Sequence, residues 1–130
     1  MTFKNKAKGA RCENELYDIL VEGGYRCIRC AGSGTKEESN ADLIAGNKNR
    51  KFCIEVKSSK KTSKYITKEQ ISDFLVFSEI FGLEPVVAVK FNRKGWFFLS
   101  PNDLADSGKH LLVSLDIAQE KGKRFSQFFH

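Results

Sequence analysis

Cys12, Leu16, Ile19 and Leu20 fall at i, i+4, i+7 and i+8. That spacing is one face of a helix and predicts a helix over residues 9–22, ended by the pair Gly23 and Gly24. Residues 25–30 then read as a short strand, and the polar, glycine-containing residues 31–40 as a loop. Two further strands, residues 41–45 and 51–58, flank the turn-forming residues 46–50 and predict a β-hairpin. After a basic loop over residues 60–64, Thr67 and Gln70 stand three apart, as in a capping box, ahead of a helix carrying Ile71, Phe74, Leu75, Phe77 and Phe81 and ending at Gly82. Residues 86–91 and 96–99, joined by a turn over residues 92–95, predict a second hairpin. Ser100, Pro101, Asn102 and Asp103 open a short helix or turn, and the rest is a weakly periodic tail ending in Phe125, Phe128 and Phe129. This order predicts an α/β fold: a central mixed β-sheet flanked by helices, in one domain over residues 1–130, with residues 1–8 as a flexible basic arm.

Charge changes the picture more than composition does. The 130 residues carry a net charge of +6, and all of the excess lies before residue 67: residues 1–66 hold 14 Lys and Arg against 8 Asp and Glu, whereas residues 67–130 hold 8 of each. A localised basic excess is the footprint of a polyanion, usually nucleic acid, although a solubilising surface gives the same count. No apolar run approaches the length of a membrane span, and the basic N-terminus lacks the apolar stretch of a signal peptide. A cytoplasmic protein with free thiols is therefore expected. Cys27 and Cys30 form a lone CxxC; three residues apart on a strand they point to opposite faces, so Cys12, Cys27, Cys30 and Cys53 read as small apolar fillers, not a zinc site.

The candidate chemistry lies in the first hairpin. On a strand, Cys53, Glu55 and Lys57 share one face and Ile54 and Val56 the other. A hairpin turning at Lys48 and Asn49 sets Asp42 opposite Glu55. Two carboxylates and an ammonium then converge, an arrangement that repels itself unless a cation intervenes. Mg²⁺ suits such an oxygen set, with Mn²⁺ as its substitute, and the carbonyl of Ile54 or Val56 could add a ligand. A metal held there would activate a water and polarise a phosphodiester, while Lys57 would orient the water or stabilise developing charge. Glu55 and Lys57 alone would equally describe a solvated strand pair.

Asp42 followed by Glu55, Val56 and Lys57 matches the PD-(D/E)xK nuclease superfamily, and within it the chain resembles the archaeal Holliday junction resolvase (Hjc) family. The resemblance spans most of residues 8–100. It runs through Lys8, Gly9 and Glu13, then residues 29–34, 41–46, 54–58, 87–91 and 95–98. It implies a restriction-endonuclease-like fold, with Glu13, Asp42 and Glu55 as metal-binding carboxylates and Lys57 as catalytic lysine. It also implies that Ser33 lies near the scissile phosphate and that Arg29 and Lys90 contact DNA. The chain departs from the family where Glu13 is followed by Asn14 instead of Arg, which shifts an expected basic contact to Arg11, and where Ala41 replaces Pro before Asp42. Neither change removes a metal ligand. With Lys6, Lys8, Lys60 and Lys61, these basic residues make up the expected DNA-binding surface.

The activity so implied is structure-selective cleavage of four-way DNA junctions, by paired metal-dependent hydrolyses in a twofold homodimer. Phe74, Phe77 and Phe81 on the second helix and Phe125, Phe128 and Phe129 in the tail would either fill the core or cover the subunit interface. A repair or restriction-type nuclease of the same superfamily, acting on other DNA, and a non-catalytic DNA-binding module are the alternatives. No residue singles out a sliding clamp or branch-migration helicase as a partner.

Overall fold

The computed structural model describes residues 3–30 and 41–130, with side chains from Gly9 onward. Ser33 and the side chains of Lys6 and Lys8 lie outside the described residues. The chain forms α1 (Phe3–Glu22), β1 (Arg26–Arg29), β2 (Leu43–Gly46), β3 (Lys51–Ser59), β4 (Ser63–Thr67), α2 (Lys68–Phe81), β5 (Glu84–Phe91) and β6 (Gly95–Leu99). A 3-10 turn (Pro101–Asp103), β7 (Ala105–Ser107), β8 (His110–Ser114), α3 (Leu115–Lys121) and α4 (Phe125–Phe128) complete it.

Helix α1 reaches back from the expected start at residue 9 to Phe3, so its backbone runs through residues read as a basic arm. Ala7 and the lysines around it are good helix formers, and Gly9 costs only about 1 kcal/mol relative to alanine in a helix interior. Leu16 and Leu20 are fully buried against the sheet, each contributing roughly 1.5–3 kcal/mol.

Five strands form the main sheet in the order β1-β2-β3-β5-β6. β1, β2 and β3 pair antiparallel, β3 and β5 parallel, and β5 and β6 antiparallel. The parallel pair needs a long crossover, which β4 and α2 provide. On one face α1 covers Leu43, Ala45, Ile54, Val56, Val86 and Ala88. On the other, Phe74 of α2 packs over Ala41 and Cys53, and Val87, Val89, Phe97 and Leu99 meet Ile66, Ile71, Val113 and Ala118. The two central strands are thus buried on both sides, β5 through its apolar run and β3 with Glu55 as a buried acid. Ile54 and Val56 face the core as the alternation predicts, but the face of Cys53 and Glu55 is roofed by α2 instead of open.

Much of the remainder was not expected. A second sheet, β4-β8-β7, occupies residues read as basic loop and tail. β4 buries only Ile66 among its five residues, so its hydrophobic signal is weak, and its partner β8 lies more than forty residues along the chain. The tail phenylalanines pack on the core. Phe129 is buried, with ring centroids 4.9 Å from Phe98, 5.0 Å from Phe52 and 5.4 Å from Tyr25. Arg50 fastens the tail by donating from Nη1 to the Phe128 carbonyl at 2.7 Å while lying 4.5 Å from the Phe52 ring. The interface role considered for these phenylalanines is therefore not available to Phe129.

None of the four cysteines forms a disulfide. Burial pushes the thiols of Cys27 and Cys53 up to about 11, so both stay protonated and unreactive.

Candidate active site

The register Leu43↔Ile54 makes Asp42, one residue earlier, the neighbour of Glu55. Asp42 prolongs the ladder beyond the end of β2. Its N–H donates to the Ile54 carbonyl at 3.0 Å, and its Oδ2 accepts the Val56 N–H at 2.7 Å. The side chain thus takes the place of a backbone acceptor and is fixed in orientation by the strand it serves.

Glu55 is only 5% exposed. Its Oε1 accepts a hydrogen bond from Gln70 Nε2 at 3.0 Å and lies 3.5 Å from Lys57 Nζ. Burial, and then the adjacent Asp42 charge, push the Glu55 carboxyl up to about 8, with Lys57 pulling the other way. A carboxyl so raised on a strand, with a second carboxylate beside it, is a site short of positive charge.

Glu13 reaches the same region from α1. Burial and the Asp42 charge raise its carboxyl, and Arg29 and Lys57 oppose that rise. Arg29 Nη2 donates to Glu13 Oε1 at 3.0 Å. The structure therefore brings Asp42, Glu55 and Lys57 together, with Glu13 at the margin and turned to Arg29. Among the described residues no three His, Cys, Asp or Glu side chains close into a chelating cluster. The donor set nevertheless fits Mg²⁺, which is commonly held by one or two carboxylates and keeps several waters.

The basic residues divide. Arg11, Lys60 and Lys61 are exposed, as a phosphate-binding surface requires. Lys90, expected to contact DNA, is paired with Glu15, at 2.9 Å from Oε1 and 2.7 Å from Oε2, and Trp96 Nε1 donates to the same Oε1 at 2.9 Å. The pair is partly exposed, and the hydrogen bond from Lys90 holds the Glu15 carboxyl below its usual range. Glu15 clips α1 to β5 and β6. These partners lie 75 and 81 residues apart, so no local pattern joins them.

Gln70 was also missed as a site residue. Thr67 Oγ1 caps α2 by accepting the Gln70 N–H at 3.1 Å, but the Gln70 side chain reaches to Glu55. The capping-box spacing drew attention to the position and concealed this use of it.

The model for the archaeal Holliday junction resolvases matches residues 4–130. The crossover junction endodeoxyribonuclease Hjc of Methanocaldococcus jannaschii is 42% identical over 106 residues, 82% of this chain and 75% of that protein. The enzyme of the same name from Archaeoglobus fulgidus is 34% identical over 131 residues, 95% of this chain and 96% of that one. The solved structure of Archaeoglobus fulgidus Hjc, described as a Holliday junction resolvase from an archaeal hyperthermophile, superposes with a TM-score of 0.87 at 28% identity, covering 94% of this chain and 100% of that one. Its restriction-endonuclease-like fold is the one formed here by the mixed sheet between α1 and α2. By sequence over nearly its whole length and by fold, the chain belongs to the archaeal Holliday junction resolvase family.

Proposed function

We propose that the chain is an endodeoxyribonuclease that resolves four-way DNA junctions by paired, metal-dependent phosphodiester hydrolysis. The observation that carries this reading is the convergence of Asp42, Glu55 and Lys57 at the hairpin register, on the fold of a resolvase family. Asp42 and Glu55 would hold Mg²⁺, or Mn²⁺ in its place, with Glu13 joining once it leaves Arg29. Such an ion supplies an activated water and Lewis-acid polarisation of the phosphate.

The protein's own residues do the rest. The Val56 N–H fixes the Asp42 carboxylate, and Gln70 and Lys57 fix Glu55. Lys57, one-fifth exposed at its side chain, donates from its ammonium to the phosphate oxygen where charge grows. Arg11, Lys60 and Lys61 neutralise neighbouring phosphates. Such contacts carry little sequence information, so selectivity would come from junction shape. Ser33 is assigned near the scissile phosphate by the family pattern alone.

Symmetric cutting of two strands requires two centres, and among the described residues one chain carries one such set of carboxylates. The second set would come from a second copy related by a twofold axis. The face it would cover is on α2, where Val76, Ile80 and Phe81 are 52%, 72% and 62% exposed. Among the described residues no helix is long and apolar enough to cross a membrane; a cytoplasmic location goes with the proposed action on DNA junctions. Cleavage of an immobile four-way junction, compared with its component duplexes in Mg²⁺ and in EDTA, tests the reading. Equal cutting of duplex and junction would favour a repair or restriction-type nuclease.

A further inference from the structure

We propose that Gln70 is a positioning residue for the metal site, holding Glu55 by one carboxylate oxygen so that the side toward Asp42 is presented to the cation. The inference rests on the proposed metal-dependent reading and assigns a role to a residue outside the acidic motif.

The geometry is unusual for a residue at this position. Gln70 lies in the first turn of α2 and is exposed as a residue, yet its amide nitrogen donates to the buried Oε1 of Glu55 at 3.0 Å. Glutamines at helix starts ordinarily turn back to the capping residue or into solvent. Thr67 caps the helix through its own hydroxyl, so the Gln70 side chain is free for another use.

Among the described residues both donors to Glu55, Gln70 Nε2 and Lys57 Nζ, fall on Oε1. Oε1 is thus held by the protein, and the side of the carboxylate toward Asp42 is where a cation would sit. Lys57 sits on the same strand as Glu55, whereas Gln70 approaches from the helix above. Together they pin the carboxylate from two directions. Hydrogen-bond partners of this kind orient metal ligands, and their loss commonly costs 10–100-fold in metal affinity. Gln70 is neutral, so it orients Glu55 without competing with the cation through charge.

The test is Gln70→Met, which keeps the length and helix preference of the side chain and removes the donor. Mn²⁺ binding to the full chain without DNA is measured by calorimetry, beside thermal unfolding in EDTA and junction binding in EDTA. Mn²⁺ affinity is expected to fall about 10- to 100-fold while melting temperature and junction affinity hold. Gln70→Glu, which sets a second carboxylate against Glu55, should raise the metal affinity above that of Gln70→Met only if the site gains a ligand, and that outcome contradicts a purely orienting role. Wild-type Mn²⁺ affinity in Gln70→Met overturns the inference. Absence of Mn²⁺ binding by the wild-type chain overturns the underlying metal-site reading instead.

Discussion

Asp42 Oδ2 accepts the backbone N–H of Val56 at 2.7 Å, so one carboxylate both completes the β2–β3 ladder and faces Glu55. The two roles separate by substitution. Asp42→Asn keeps an acceptor for Val56 and removes the charge; Asp42→Ala leaves the N–H without its partner, a loss of about 1–3 kcal/mol. Asp42→Asn is expected to bind junction DNA, to be at least as stable as wild type in EDTA above pH 8, where Glu55 is charged and a repulsion is removed, and to cleave at under about one-hundredth of the wild-type rate. Denaturant unfolding and a cleavage time course check both.

The raised Glu55 carboxyl makes stability depend on pH in a definite direction. With the folded value near 8 and the unfolded value near that of a free carboxyl, the folded chain binds the extra proton between about pH 4.5 and 8. The stabilisation from this group is complete below the unfolded value and is lost as pH rises through the folded one. Metal-free protein should therefore lose stability between pH 5 and pH 8, with a slope of at most about 1.4 kcal/mol per unit from this group. Mg²⁺ should flatten that slope. Urea unfolding at several pH values, with EDTA and with Mg²⁺, measures it.

The basic residues are separable by salt dependence. Lys60→Ala and Lys61→Ala should each weaken junction binding and each lower the slope of log affinity against log salt by about 1. Lys90→Ala should leave that slope unchanged, because Lys90 is already paired with Glu15, and should loosen the contact of α1 with the sheet. Filter binding at several salt concentrations, with thermal melts, distinguishes the two classes.

Ile80→Asp combined with Phe81→Asp places charge on the exposed face of α2 without disturbing the buried Phe74. The doubly substituted chain should sediment as a monomer, keep its melting behaviour as a monomeric fold, and lose coupled cutting of the two junction strands. Phe129→Ala should act differently, costing about 3–5 kcal/mol of stability through a core cavity with no change in subunit assembly.

What could be read from sequence was whatever rests on local period and short-range register. The α1 stripe, the hairpin turning at Lys48 and Asn49, and hence the meeting of Asp42 with Glu55, all follow from residues less than fifteen apart. The family resemblance added Glu13, which the geometry brings to the margin of the site. The second sheet was illegible because β4 has one buried residue and pairs with a distant strand. The tail was illegible because Phe129 packs on Phe52 and Phe98 across the fold. Lys90 and Gln70 illustrate the same limit at single residues. The resemblance assigned Lys90 to DNA and the local spacing assigned Gln70 to a cap, but their partners are set by strands and helices that meet only in three dimensions.

The central claim is that the Asp42, Glu55 and Lys57 cluster performs metal-dependent junction cleavage. The most direct measurement follows an immobile four-way junction incubated with wild-type chain and with Glu55→Ala, each in Mg²⁺ and in EDTA. Symmetric nicks by the wild-type chain in Mg²⁺ alone, with junction bound but uncut by Glu55→Ala, are the predicted result. Cleavage by Glu55→Ala at the wild-type rate, or by the wild-type chain in EDTA, would contradict it.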